Sequence, residues 1–81
     1  MFNKVKTVQT LPGLTLQVGF LNGESKQYFV GPLIEKYEAF GSLLTTKGLF
    51  EQAKVDAGGY GVSWNDEIDL SCDELYHNGV S

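Results

Sequence analysis

The chain is 81 residues long, which is one small domain over residues 1–81 with no room for a second core. Its single cysteine, Cys72, excludes an intramolecular disulfide; with no basic region leading into an apolar run and no stretch near eighteen apolar residues, a cytoplasmic chain with no membrane span is expected. The net charge is −4, but all six lysines lie at or before Lys54, arginine is absent, and residues 55–81 carry six acids; a phosphate-neutralising patch is missing, so direct nucleic-acid binding by this chain alone is not expected.

From the N-terminus, Phe2–Gln9 mixes β-branched residues with lysines and reads as an edge strand protected by charge. Leu11-Pro12-Gly13 is a turn. In "LTLQVGF", Leu14, Leu16, Val18 and Phe20 face one way and Thr15, Gln17 and Gly19 the other, a strand with one buried face. Asn22-Gly23 marks a hairpin through its tolerance of positive φ. The return strand is Glu24–Val30, with Tyr28 and Val30 inward. At Gly31-Pro32 the period changes: Leu33, Ile34, Tyr37 and Phe40 share one helical face, and Gly41-Ser42 ends that helix. "TTKGLFEQ" reads as a second helical turn, capped by Thr45 or Thr46 and anchored by Leu49 and Phe50. "AKVDAGGYGVSW" reads as a hairpin reversing at Gly58-Gly59, with Tyr60, Val62 and Trp64 alternating on the return. In "DEIDL", Ile68 and Leu70 point inward, Glu67 and Asp69 outward. The sum is α+β: a mostly antiparallel sheet of about five strands in β-β-β-α-α-β-β-α order, with helices on one face.

The chemistry-bearing residues crowd the C-terminal third. Asp66, Glu67, Asp69, Asp73 and Glu74 fall within nine residues. They lack the alternating offsets and central glycine of a calcium loop, so a solvated face is expected and no metal. "SCDE" fits a capping box, with Ser71 accepting from the N–H of Glu74 and Glu74 reaching back to the N–H of Ser71. Asn78-Gly79 supplies the matching stop. Cys72 and His77, five apart on a helix, do not share a face. No zinc, phosphate-loop or thiol–imidazole pattern is present. No catalytic residue and no cofactor are expected, and the chain reads as a non-enzyme. Trp64 and Tyr60 are core residues or an exposed aromatic patch; Trp64, followed by Asn65-Asp66-Glu67, also has the look of an interface anchor rimmed by charge.

"LTLQVGFLNGESKQYFVGPLIEK", "GLFEQAKVDAGGYGVSW" and "DLSCDELY" together resemble a family of small bacterial proteins known only as domain of unknown function 2442. The elements that carry the resemblance are Phe20, Asn22-Gly23, Pro32-Leu33-Ile34, Leu49-Phe50, Val55-Asp56 through Trp64, and Asp69-Leu70 with Asp73, Leu75 and Tyr76. They cover roughly Val5 to Tyr76, and their order and spacing are specific where no single piece is. The chain departs at Asn65-Asp66-Glu67-Ile68, where family members often have Pro and then Asn- or Asp-Gly. The resemblance implies an α+β fold and no established enzymatic activity. Some members resemble this domain fused to a helix-turn-helix domain; others occur beside a second small gene, in a pattern suggestive of toxin–antitoxin pairs.

The expectation is therefore a protein-interaction module, the antitoxin-like partner of a two-gene pair, whose partner is the product of an adjacent gene; a homodimer stays open. The candidate partner-binding residues are Trp64, Asp66, Glu67 and Asp69. One alternative is a small-molecule binder or enzyme using the Trp64/Asp66/Asp69 region, which needs a concave pocket. A second is an acidic mimic of nucleic acid that binds a basic protein.

Overall fold

A computed structural model describes residues 3–81. Six strands and three short α-helices follow one another as β1 (Val5–Leu11), β2 (Thr15–Phe20), β3 (Ser25–Phe29), α1 (Gly31–Lys36), α2 (Ser42–Thr45), β4 (Lys54–Val55), β5 (Gly61–Ser63), β6 (Asp69–Ser71) and α3 (Cys72–Asn78). Short 3₁₀ turns at Glu38–Gly41, Phe50–Gln52 and Ala57–Gly59 join them. The α+β class and the antiparallel pairing stand. The strands form two three-stranded sheets, β1-β2-β3 and β4-β5-β6, in place of one sheet of about five. The added strand is β6, which pairs Asp69 with Ser63, Leu70 with Val62 and Ser71 with Gly61.

The period-2 pattern of β2 places Leu16, Val18 and Phe20 in the core, at most 2% exposed. Leu14 lies outside the strand: its φ of 56° belongs to the turn after Pro12, and β2 starts at Thr15. The β2–β3 turn is closed by the Phe20 N–H to Glu24 C=O bond (2.8 Å) and the Gly23 N–H to Phe20 C=O bond (3.0 Å). Only Gly23 takes a positive φ there. Asn22 contributes through its side chain, whose Oδ1 accepts the Glu24 N–H at 2.9 Å, a local Asx bond. β1 runs from Val5 to Leu11, two residues later at its end than the sequence pattern places it; Phe2 lies outside the described residues.

The helical face from Leu33 to Phe40 is not one helix. α1 stops at Lys36, because Tyr37 adopts φ −122° and ψ 124°. A 3₁₀ turn then carries Phe40 into the core while leaving Tyr37 about half exposed. Gly41-Ser42 does not end the helical region; Ser42 opens α2 directly. Thr45 is that helix's last residue and Thr46 its C-terminal cap, so neither is an N-cap of the turn at Phe50, which Leu49 precedes with no side-chain cap. Gly58 and Gly59 make the next reversal with φ of 80° and 77°.

One core serves both sheets. Val5, Leu16, Val18, Phe20, Tyr28 and Val30 from the first meet Val62, Trp64 and Leu70 from the second, with Phe40, Leu43, Phe50, Ile68, Cys72 and Leu75 filling between. Trp64 is the hub of the aromatic part: Phe50 stacks on it at 6.1 Å between centroids and Phe40 meets it edge-on at 6.2 Å. Tyr76 ties α3 to the β2–β3 hairpin. Its ring meets Phe20 edge-on, its hydroxyl donates to Glu24 Oε2, and Lys26 Nζ lies 4.0 Å from its centroid. None of the described helices is long and apolar enough to cross a membrane.

A candidate acidic docking cleft

A cleft of about 430 Å³ opens where the second sheet faces the helical segment. One wall is Leu33 and Lys36 of α1 with Tyr37 and Phe40 beyond it. The other is all of β6, Asp69-Leu70-Ser71, with Glu74 and Asn78 of α3. Its lining is mixed: Leu33, Phe40 and Leu70 are apolar side chains that the core half or fully buries, and Lys36, Asp69, Ser71, Glu74 and Asn78 are polar. Its rim is polar. Lys36 Nζ lies 5.4 Å from the Tyr37 ring centroid, within reach of a cation–π contact.

The break of α1 at Tyr37 creates the first wall, because a continued helix would carry Tyr37 and Phe40 along one axis. The second wall depends on the Ser71 cap. Ser71 Oγ accepts the Glu74 N–H at 3.1 Å, which starts α3 where β6 ends. The reciprocal half of the capping box is replaced: Glu74 Oε2 accepts the Tyr28 hydroxyl at 2.7 Å, tying α3 to β3. Burial first, and then this bond to a carboxylate, push the Tyr28 phenol well above its ordinary pKa. Asn78-Gly79 does end the helix, with the Gly79 N–H on Leu75 C=O, but Gly79 takes an extended φ of −75° and no left-handed turn.

The four residues singled out from the sequence divide. Trp64 is 4% exposed, and its Nε1–H donates to Phe50 C=O at 2.9 Å inside the core. It therefore offers no contact surface, and the candidate interface loses its aromatic anchor. Asp66, Glu67 and Asp69 are all exposed. Asp69 lines the cleft, while Asp66 and Glu67 lie in the β5–β6 turn that leads into it. Asn65 shapes that turn by accepting the N–H groups of Glu67 (2.8 Å) and Ile68 (2.9 Å). Trp64 and Asp66 do not line the cleft that Asp69 lines, so the Trp64/Asp66/Asp69 alternative does not gather its three residues there. The exposed aromatic of the cleft is Tyr37, which the sequence pattern assigned to the core face of a helix. Its one outward signal was Lys36 on one side and Glu38 on the other.

Elsewhere, Cys72 is buried and His77 exposed. Among the described residues no group of three or more His, Cys, Asp or Glu is placed to hold a metal ion. Asp56 is used structurally, accepting the Ser63 hydroxyl at 2.5 Å. On the outward face of the first sheet Gln9, Gln17 and Gln27 lie side by side across the three strands, and Gln27 Nε2 donates to Gln17 Oε1 at 3.1 Å.

Comparison with known proteins gives one informative result. No curated protein and no solved structure matches the chain. The model of a protein family of unknown function, DUF2442, matches residues 5–81. That span takes in both sheets, the cleft and the acidic turn, and the chain belongs to the DUF2442 family.

Proposed function

We propose that the chain is a protein-interaction module that docks a basic partner on the acidic rim of its cleft. The observation that carries this reading is that apolar Leu33, Phe40 and Leu70 and the carboxylates of Asp69 and Glu74 line the same cleft. Apolar floors with polar rims are the usual anatomy of protein contact patches. The surrounding charge favours one sign of partner: residues 55–81 carry six acids and no lysine. Complementary charge of this kind speeds encounter and fixes register more than it adds affinity. An antitoxin-like role is the finer form of the proposal, and the product of an adjacent gene is then the first partner to try.

The experiment is affinity capture from native extract at low and high salt. The wild-type chain is compared with the triple variant Asp66→Lys, Glu67→Lys, Asp69→Lys. All three side chains are exposed, so the variant should fold. The expected result is a basic protein held in fixed ratio by the wild-type chain, lost from the variant, and weakened by salt. A wild-type chain that elutes alone with every candidate neighbour, or a variant that keeps the same partner, contradicts the proposal.

A further inference from the structure

The alternation of hydrogen bonds in the second sheet gives β6 a distinctive edge. Trp64 N–H bonds Ile68 C=O at 2.9 Å and Cys72 N–H bonds Tyr60 C=O at 2.8 Å. With Leu70 opposite Val62 between them, the bonded pairs of this antiparallel ladder are 64 with 68, 62 with 70 and 60 with 72. Asp69 and Ser71 sit at the intervening non-bonded pairs. Their backbone groups therefore point away from β5, toward the open side of the sheet. β6 is the last strand of that sheet, and among the described residues no backbone group bonds to Asp69 or to the Ser71 N–H from that side. The free edge of β3 is treated differently: Gln27 exchanges two backbone bonds of 2.8 Å with Val80, which covers its middle. Of these two outer strands, β6 is the one whose edge is uncovered, and its Asp69 and Ser71 line the cleft.

We propose that this edge is a strand-addition site, at which an extended, basic segment of a partner protein pairs with Asp69–Ser71 inside the cleft. The proposal rests on the docking reading above and specifies its geometry. The Asp69 N–H, the Asp69 C=O and the Ser71 N–H supply the backbone bonds, as in other recognition by an exposed sheet edge. Alternate side chains of the added strand then point to opposite faces. An aliphatic side chain on one face meets Leu33, Phe40 and Leu70; a lysine or arginine on the other meets Asp69 and Glu74 at the rim. The charge argues against a second copy of this chain as occupant. Two β6 edges brought together would place Glu67, Asp69, Asp73 and Glu74 near their own copies, and like charges across paired strands are unfavourable. The chain's lysine-bearing strand, β1, is bonded to β2 along one edge and packs against β4 and β5.

Three eight-residue labelled peptides test this by fluorescence anisotropy: alternating Lys-Val, the same Lys-Val sequence N-methylated at every backbone nitrogen, and alternating Glu-Val. Full N-methylation keeps charge and side chains but removes every N–H that could pair along the edge. The expected result is that Lys-Val binds about tenfold or more tightly than its N-methylated form, that Glu-Val does not bind, and that Asp69→Lys abolishes Lys-Val binding. Equal binding of Lys-Val and its N-methylated form overturns strand addition while leaving the acidic docking reading in place. Failure of both basic peptides overturns strand addition and the docking reading together. A free protein that sediments as a dimer, and as a monomer once Asp69 is Lys, overturns the assignment to a partner in favour of a second copy.

Discussion

Trp64 shows how one residue's burial changes its meaning. In sequence it stands beside three acids and looks like an interface anchor; in the fold its indole N–H bonds Phe50 C=O and its ring lies against Phe40 and Phe50. Its replacement should therefore be read in stability. Trp64→Ala is expected to cost about 3–5 kcal/mol through lost area and a cavity. Trp64→Phe, which leaves the Phe50 carbonyl with the Ala53 N–H alone, should cost about 0.5–1.5 kcal/mol for the lost bond. Urea unfolding measures both. The Ser71 cap was legible because S-x-x-E is a local pattern, and Ser71→Ala should cost about 1 kcal/mol in the same assay. The partner of Glu74 was not legible, because Tyr28 lies 46 residues away and only the packing of β3 against α3 brings it there. That bond has a pH signature. Folded Tyr28 keeps its proton to higher pH than the unfolded chain does, so its contribution is complete below about pH 10 and is lost as pH rises above it. Tyr28→Phe should flatten the alkaline side of the stability profile. Glu24 has the opposite sense. The hydrogen bond from Tyr76 lowers its pKa, so its contribution is present above the ordinary carboxylate value and disappears as pH falls through the lowered one. Glu24→Gln should reduce the acid loss of stability.

At the scale of elements, the glycines separate a turn that needs positive φ from one that also needs space. Gly48 has φ 81° with nothing within 4 Å of an added Cβ, so Gly48→Ala should cost about 1–2 kcal/mol of backbone strain. Gly59 has φ 77°, and its Cβ would lie 2.6 Å from the Val5 carbonyl oxygen. That contact is where the β4–β5 reversal packs on β1. Gly59→Ala should lose about 1–3 kcal/mol more than Gly48→Ala, from overpacking, as thermal or urea unfolding will report. The reversal at Gly58-Gly59 could be read from the sequence because two glycines between alternating segments have few other uses. The end of α1 could not. Leu33, Ile34, Tyr37 and Phe40 hold a helical period across the break, so periodicity alone carries the helix through Tyr37. The extended backbone at Tyr37 follows from Phe40 entering the Trp64 cluster, a tertiary preference that local pattern does not encode. The cleft's outer wall exists because of that break, so the site was less legible than the core.

The whole molecule is two small sheets sharing one core, and the division decides where edges remain. Alternation identified the buried face of β2, Leu16, Val18 and Phe20, and the burial of Val62 and Trp64, but Tyr60, on the same alternation, is 51% exposed. It could not show that the strands form separate sheets, since register and neighbour choice depend on residues far apart in the chain. Two sheets leave more edges than one, and β6 is the edge that coincides with a cleft and with acids. The acidic turn was visible from composition; its placement beside an uncovered strand edge required the fold. Amide hydrogen exchange of the intact chain, followed by NMR with and without the alternating Lys-Val peptide, tests this account most directly. The Leu70 amide, bonded within the sheet, should be protected throughout, while those of Asp69 and Ser71 exchange fast in the free protein and slow when the peptide is added. Unchanged exchange at Asp69 and Ser71 under saturating peptide, or protection appearing instead along the Gln9, Gln17 and Gln27 face, would contradict a basic partner docking at the acidic edge of the cleft.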